Sequence, residues 1–184
     1  MTNLIKIYIP VIFLLFLGDL SADGVTEYSV KAALALNFAR FTEWPANTIY
    51  IKENIHFCVI GNSEVEEAFA EIDNKPVGEW HLKIINIDDL PELKNCHLVY
   101  VGYSEKRRLP EVFAAIKDQP VLTIGEMDEF TSLGGIINLE IQERKIRFQV
   151  NLDAANNANL QISARVLKLA NLVKSGPGKK GKTQ

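Results

Sequence analysis

Two cysteines and three histidines are the side chains most able to do chemistry here, and their spacing limits which chemistry that is. Cys58 and Cys96 each sit in an apolar run, His56-Phe57-Cys58-Val59-Ile60 and Cys96-His97-Leu98-Val99-Tyr100-Val101. If the two runs are neighbouring strands, their Cα atoms fall about 5 Å apart, inside the range a disulfide needs. The alternative is a pair of reduced cysteines acting as small apolar fillers. His56, His81 and His97 read as strand positions without the helical pair spacing or cysteine partners of a zinc site, so no metal is expected. There is no Gly-x-Ser-x-Gly elbow, and neither the phosphate-loop nor the dinucleotide glycine spacing occurs. Glu64, Glu66 and Glu67, and Asp88, Asp89 and Glu92, read as solvated helix faces. A carboxylate pair drawn from separate elements is invisible to spacing alone, but no motif argues for one. The expectation is a protein that is not an enzyme and carries no cofactor.

Three glycine turns follow strand-like runs: Gly61-Asn62-Ser63, Gly102-Tyr103-Ser104 and Gly125-Glu126-Met127. At the carboxyl ends of strands in an open α/β sheet, such turns are where ligands gather. Ser63 or Ser104 could cap the next helix and leave free N–H groups for an anion, although ordinary turn and cap chemistry explains the same residues.

The elements that must hold these positions alternate. Apolar recurrence at Val30, Ala33, Leu34, Phe38 and Phe41 predicts a helix over 25–43, ended by Trp44-Pro45. A strand at 55–60, a helix at 64–72, a strand at 81–86, a short segment at 87–93 and the Cys96 strand follow. A charged helix is expected from Gly102 through Lys117, a strand at 120–124, and a short helix over 127–133 closed by Gly134-Gly135. Residues 136–141 and 145–150 form a hairpin around Gln142-Glu143-Arg144, and a helix over 162–173 finishes the body. Strands alternating with helices predict a single three-layer α/β domain: a mixed, mostly parallel sheet flanked by helices, with a late hairpin and a C-terminal helix.

The N-terminus bounds the compartment. Lys6 precedes an apolar run over 7–17, and Gly18-Asp19-Leu20-Ser21-Ala22 ends in small residues. This is the layout of a signal peptide, residues 1–22, with cleavage after Ala22. A membrane anchor is the other reading, but about 11 residues span only about 16 Å of a core about 30 Å thick. Without the leader the chain has 162 residues, with 19 basic and 22 acidic side chains. Residues 23–173 carry an excess of seven acids, while 174–184 hold four lysines and no acid. The acidic body disfavours nucleic acid as a partner. The tail 174–184 has nothing apolar to bury and is expected to be disordered. Export places the two cysteines in an oxidising space, which favours the Cys58–Cys96 disulfide over the reduced pair.

Two longer strings are more specific. One runs from Glu27-Tyr28-Ser29-Val30-Lys31-Ala32-Ala33-Leu34 into Asn37-Phe38-Ala39-Arg40-Phe41-Thr42-Glu43-Trp44-Pro45. The other is Arg147-Phe148-Gln149-Val150-Asn151-Leu152-Asp153-Ala154-Ala155, followed by residues 160–170. With Cys58, Cys96, Pro120-Val121-Leu122-Thr123-Ile124 and Gly134-Gly135-Ile136-Ile137-Asn138, they resemble the YfiR-like family of exported proteins. The resemblance covers nearly all of 27–173. It implies a periplasmic regulatory domain whose best-known member type represses a membrane diguanylate cyclase by holding its periplasmic sensor part inactive. An outer-membrane lipoprotein can sequester such a repressor. The resemblance equally implies service to sensor kinases or outer-membrane receptors, so the partner is expected to be an inner-membrane diguanylate cyclase or a sensor kinase, and a homodimer is compatible with it. Some members have a second cysteine pair where this chain has Thr131 and Asn138, which leaves Cys58 and Cys96 as the only bridge available.

The residues themselves suggest further roles. Phe38, Phe41 and Trp44 fall at i, i+3 and i+6, a stripe with Leu34 that reads either as core packing or as an exposed docking patch. Asn151 closes a strand and is expected to satisfy local backbone groups or cap a short helix. Asn157, Gln161, Ser163 and Arg165 lie on a polar stretch expected either to contact a partner or ligand or to be a solvated turn with Ser163 as N-cap.

Overall fold

Thr26 starts the first helix by accepting a hydrogen bond from the Ser29 N–H at 3.0 Å, and Glu27 and Arg40 lie at the ends that complement the helix dipole. The computed structural model describes residues 26–46, 48 and 54–174; the expected leader and the tail beyond Lys174 lie outside the described residues. Helix α1 spans Glu27–Arg40 and buries Ala32, Ala35, Leu36, Phe38 and Ala39. It stops at Phe41 rather than continuing to Glu43, because Thr42–Glu43 is a two-residue strand, β1. The Thr42 hydroxyl donates to the Phe38 carbonyl at 2.8 Å, a local alternative to the helical ladder. Phe38, Phe41 and Trp44 are therefore not one helical stripe.

The remaining elements, in chain order, are β2 (Asn54–Ile60), α2 (Ser63–Ala70), β3 (Pro76–Val77), β4 (Trp80–Asn86), a 3₁₀-helix (Leu90–Asn95), β5 (Leu98–Val101), a second 3₁₀-helix (Tyr103–Arg108), α3 (Leu109–Ala115), β6 (Leu122–Gly125), β7 (Ile137–Gln142), β8 (Lys145–Asn151), α4 (Leu152–Asn157), β9 (Gln161–Ile162), α5 (Ala164–Leu167) and β10 (Asn171–Val173). Eight strands form one mixed sheet in the order β10-β8-β7-β6-β5-β2-β4-β3, and β1 pairs separately with β9. Strands β4, β2, β5, β6 and β7 run parallel; β7–β8 and β3–β4 are antiparallel. All residues of β5 and β6 are buried, as expected for parallel strands covered on both faces.

The period-two alternation of these strands builds two apolar layers. Phe57, Val59, Leu98, Tyr100, Leu122 and Ile124 pack with α1 and α2, with Phe69 edge-on to Phe57. Cys58, Ile60, Val99 and Val101 face the other way, onto Leu109 and Val112 of α3 and Leu93 of the first 3₁₀-helix. The disulfide joins Cys58 to Cys96 within this second layer, with Cα atoms 5.9 Å apart. In register Cys58 stands opposite Val99, so the bridge runs from the face of β2 to the residue after the 3₁₀-helix rather than between paired strand positions.

Four further elements differ from the sequence expectation. The helix from Gly102 to Lys117 is broken into a 3₁₀ turn and α3, because Pro110 is accommodated in the first turn of a helix but not in its interior. Residues 127–133 form consecutive turns rather than a helix, with Glu129 at φ 67°. They wrap around Phe130, whose ring fills the space where Gly125 and Gly135 lack a Cβ. The helix expected over 162–173 is only the turn Ala164–Leu167, after which β10 pairs parallel to β8 at the sheet edge. The cap of α2 is Asn62, which accepts from the Val65 N–H, and not Ser63. The hairpin lies where the sequence predicts it: Glu143 and Arg144 both have positive φ, the geometry of a two-residue primed turn.

Candidate functional site

The chain runs β2, then outward to β4, then back across to β5, β6 and β7, so the strand order reverses between β2 and β5. At such a switch point the loops beyond the carboxyl ends diverge and leave a crevice. Gly61 and Gly102 follow these two strands, and a Cβ on Gly102 would lie 3.2 Å from the Gly61 Cα, so both turns depend on glycine's small size. Ser104 does not cap a helix; its hydroxyl contacts Glu105.

Beside this point, over the ends of β5, β6 and β7, lies a cleft of about 540 Å3. Helix α1 contributes Glu27, Tyr28 and Lys31, the turn after β5 contributes Tyr103, the turn after β6 contributes Glu126 to Asp128, and β7 contributes Asn138 to Gln142. At its floor Glu126 is buried and pairs with Lys31, whose ammonium also meets Glu27 one helical turn back. Glu126 accepts the Tyr103 N–H at 2.8 Å. Burial lowers the tendency of Lys31 to hold its proton, but the hydrogen bonds its ammonium donates to Glu126 and Glu27 reverse that, and its pKa is raised. Lys31 is therefore a firmly charged ammonium, 4.8 Å from the centre of the Tyr28 ring. Burial, followed by the charge of Glu126, raises the pKa of Tyr28. The Tyr100 hydroxyl is fully buried beside Glu126, and burial followed by that carboxylate pushes its pKa well above the phenol range. It meets hydrogen-bond geometry with no group.

Asn138 supports this floor. Its side-chain oxygen accepts the Met127 N–H at 3.0 Å, and its amide donates to Glu140. Thr131 donates to Gln149 at 3.0 Å. Thr131 and Asn138 thus each hold a hydrogen bond to another segment of the chain.

Of the residues singled out in the sequence, Asn151 is fully buried. It caps α4 through the Ala154 N–H, and its amide donates to the Thr131 carbonyl at 2.7 Å. Phe38 is buried edge-on to Phe148, while Phe41 and Trp44 are half-buried against the same core. Trp44 donates its indole N–H to the His97 carbonyl at 3.3 Å. Ser163 caps α5 through the Arg165 N–H and donates its own N–H to the Phe41 carbonyl. Gln161 pairs with Glu43 across β9–β1 and lines a groove with Trp44 and Asn159. Asn157 lines a different groove with Phe113 and Ala158. Arg165 is exposed, its guanidinium 6.0 Å from the Phe41 ring centre. Asn157, Gln161, Ser163 and Arg165 are therefore near in sequence without sharing one cavity.

The histidines form no metal site, and among the described residues no group of three or more His, Cys, Asp or Glu could hold an ion. His97 is buried with its Nδ1 accepting the His56 N–H at 3.0 Å; burial, then nearby His56, lowers its pKa to about 4. No spacing in the sequence pairs Lys31 with Glu126, although each residue carries a local signal. Glu27 and Lys31 have i, i+4 spacing, and Glu126 directly follows a strand's terminal glycine.

Residues 28–171, from the first turn of α1 to the start of β10, match the family model described as YfiR/HmsC-like. The chain belongs to the YfiR/HmsC-like family. Two solved structures share the fold at 10% identity: the ABC domain in complex with L-Trp from Streptococcus pneumonia, with a TM-score of 0.52 over 77% of this chain, and a conserved domain protein from Vibrio cholerae, with a TM-score of 0.54 over 82%. This chain spans about 60% of the length of each. The YfiR/HmsC-like match thus contains the whole eight-stranded sheet apart from the last two residues of β10.

Proposed function

We propose that this protein is an exported periplasmic regulator that acts by binding. Its leader, residues 1–22, is removed, and the folded body holds the sensor part of an inner-membrane diguanylate cyclase inactive, lowering cyclic di-GMP. The observation that carries this reading is the YfiR/HmsC-like match across 28–171. The Cys58–Cys96 disulfide supports export, because such bridges persist in oxidising compartments. The exposed residues Asn157, Gln161 and Arg165, with Ser163 beside them, are proposed to contribute to the partner surface, and an outer-membrane lipoprotein is proposed to compete for the regulator. A homodimer is compatible with this reading.

The test is cellular cyclic di-GMP in a strain lacking the gene, complemented with the full chain or a leaderless form. Repression from the periplasm requires a rise on deletion that only the exported protein reverses. An unchanged level removes the cyclase reading. One observation favours a second reading, a ligand-sensing accessory to a sensor kinase or an outer-membrane transport receptor: the polar cleft over the ends of β5, β6 and β7. Partner capture from membrane extracts separates the two, since a cyclase in the eluate supports the first and a kinase or receptor supports the second.

A further inference from the structure

We propose that the segment from α5 through β10 docks on a bilayer surface of anionic phospholipid. Residues 154–184 contain six basic residues and no acid, whereas 23–153 hold 22 acids against 13 basic residues. The cationic stretch of an acidic chain thus leads into one edge of the sheet, where β10 pairs with β8 and, among the described residues, with no other strand. Along this segment Val166, Leu167 and Ala170 turn inward onto the layer under α1, while Lys168, Leu169, Leu172 and Lys174 face solvent. Leu169 is 77% exposed and Leu172 55%. Leu172 shares the sheet face of its register partner, the buried Val150, yet at the sheet edge it stays uncovered.

Single exposed leucines need no explanation. Two of them three positions apart between lysines, with no acid near them in sequence, have the composition of a surface that enters the boundary of headgroups and acyl chains. The other exposed large apolar residues, Val30, Tyr103, Leu133 and Ile141, each stand within four residues of a carboxylate, that of Glu27, Glu105, Glu129 or Glu140. Neither Lys168 nor Lys174 makes an ion pair among the described residues, so both charges are available to lipid phosphates, and residues 175–184 bring three more lysines. Charge also decides the occupant. A second copy paired along β10 would set lysines against lysines, and edge lysines oppose such pairing. An acidic strand added to β10 would have three residues to grip and would leave Leu169, in the turn before that strand, uncovered. An anionic bilayer accepts lysines and leucines together, and it repels the acidic remainder, which fixes the edge that faces it.

Vesicle flotation at about 0.15 M salt tests this with the disulfide-containing chain lacking residues 1–22, whose apolar run would itself bind lipid. Binding to vesicles containing phosphatidylglycerol is expected, with none to phosphatidylcholine alone. Lys168→Gln combined with Lys174→Gln should weaken binding about twentyfold, at roughly fivefold for each basic residue near an anionic surface. Leu169→Ser combined with Leu172→Ser should weaken it about tenfold or more, because the apolar contact is lost. Both pairs should keep the melting temperature of the parent chain, since all four side chains are exposed. Lys94→Gln combined with Lys117→Gln, an equal change of charge elsewhere on the exposed surface, should leave binding unchanged. Absence of binding to the anionic vesicles, or equal weakening by the two lysine pairs, would overturn the assignment. So would a leucine variant that floats as the parent does, whether it then loses self-association, which gives the edge to a second copy, or loses capture of a protein partner. The vesicles contain no protein, so the outcome is independent of the cyclase reading.

Discussion

Replacing both bridge cysteines by alanine tests how much the disulfide contributes to the fold. The bridge closes a loop with a sequence separation of 38 residues. In the chain-entropy model a loop of that size removes about 13 cal/mol/K from the unfolded state, or about 4 kcal/mol at 25 °C. Cys58 and Cys96 are both buried in the second apolar layer, so loss of the sulfur atoms adds roughly 1–2 kcal/mol of packing. Cys58→Ala/Cys96→Ala should therefore lower the unfolding free energy by about 4–6 kcal/mol and the melting temperature by more than about 8 °C. Urea denaturation of the two proteins under the same oxidising conditions measures this. The slope of free energy against urea should rise in the variant, because its unfolded chain is no longer cross-linked and exposes more surface. A loss below about 1.5 kcal/mol with an unchanged slope would refute the argument that the bridge acts on the unfolded chain.

Four other outcomes follow from the geometry. Gly135→Ala forces a Cβ into the Phe130 ring and should cost about 1–3 kcal/mol, whereas Gly134→Ala meets open space and carries only the strain of φ +115°; thermal unfolding compares the two. Lys31→Met leaves Glu126 buried without its cation and should destabilise by about 3–5 kcal/mol, with Glu126→Gln restoring much of the loss in a double-mutant cycle. Unfolded, His97 binds a proton near pH 6.5, and folded only near about 4, so its contribution is complete above 6.5 and is lost as pH falls toward 4. That loss amounts to up to about 3 kcal/mol, and His97→Asn should flatten the corresponding slope of urea stability against pH. Arg165→Glu should leave the melting temperature unchanged, because the side chain is exposed, while abolishing partner capture by the proposed surface.

The central strands were legible because parallel strands buried on both faces read as continuous apolar runs, as in Phe57-Cys58-Val59-Ile60 and Leu98-Val99-Tyr100-Val101. The β7–β8 hairpin was legible from the polar residues Glu143-Arg144 between two alternating strands. The segment 127–133 misled for a physical reason: its apolar residues have helical spacing, but Phe130 is drawn in between Gly125 and Gly135, contacts that only the folded sheet supplies. The last segment misled likewise. Val166, Leu167 and Ala170 are spaced as in a helix, yet Asn171–Val173 is claimed by the open edge of β8, whose backbone groups need partners.

Sequence by itself determined the alternation of elements, the family, the acidic body and the two cysteines able to form a bridge, because these depend on residue type and local period. Tertiary structure decided which residues meet. Lys31 and Glu126 stand 95 residues apart and become a buried pair only when the order of strands reverses beside α1. Tyr100 looks like any core residue of β5 until the packing of α1 over the sheet leaves its hydroxyl buried beside that pair without a bond. Periodicity reports the face on which a side chain lies, whereas the groups opposite it are set by long-range packing, which no local pattern encodes.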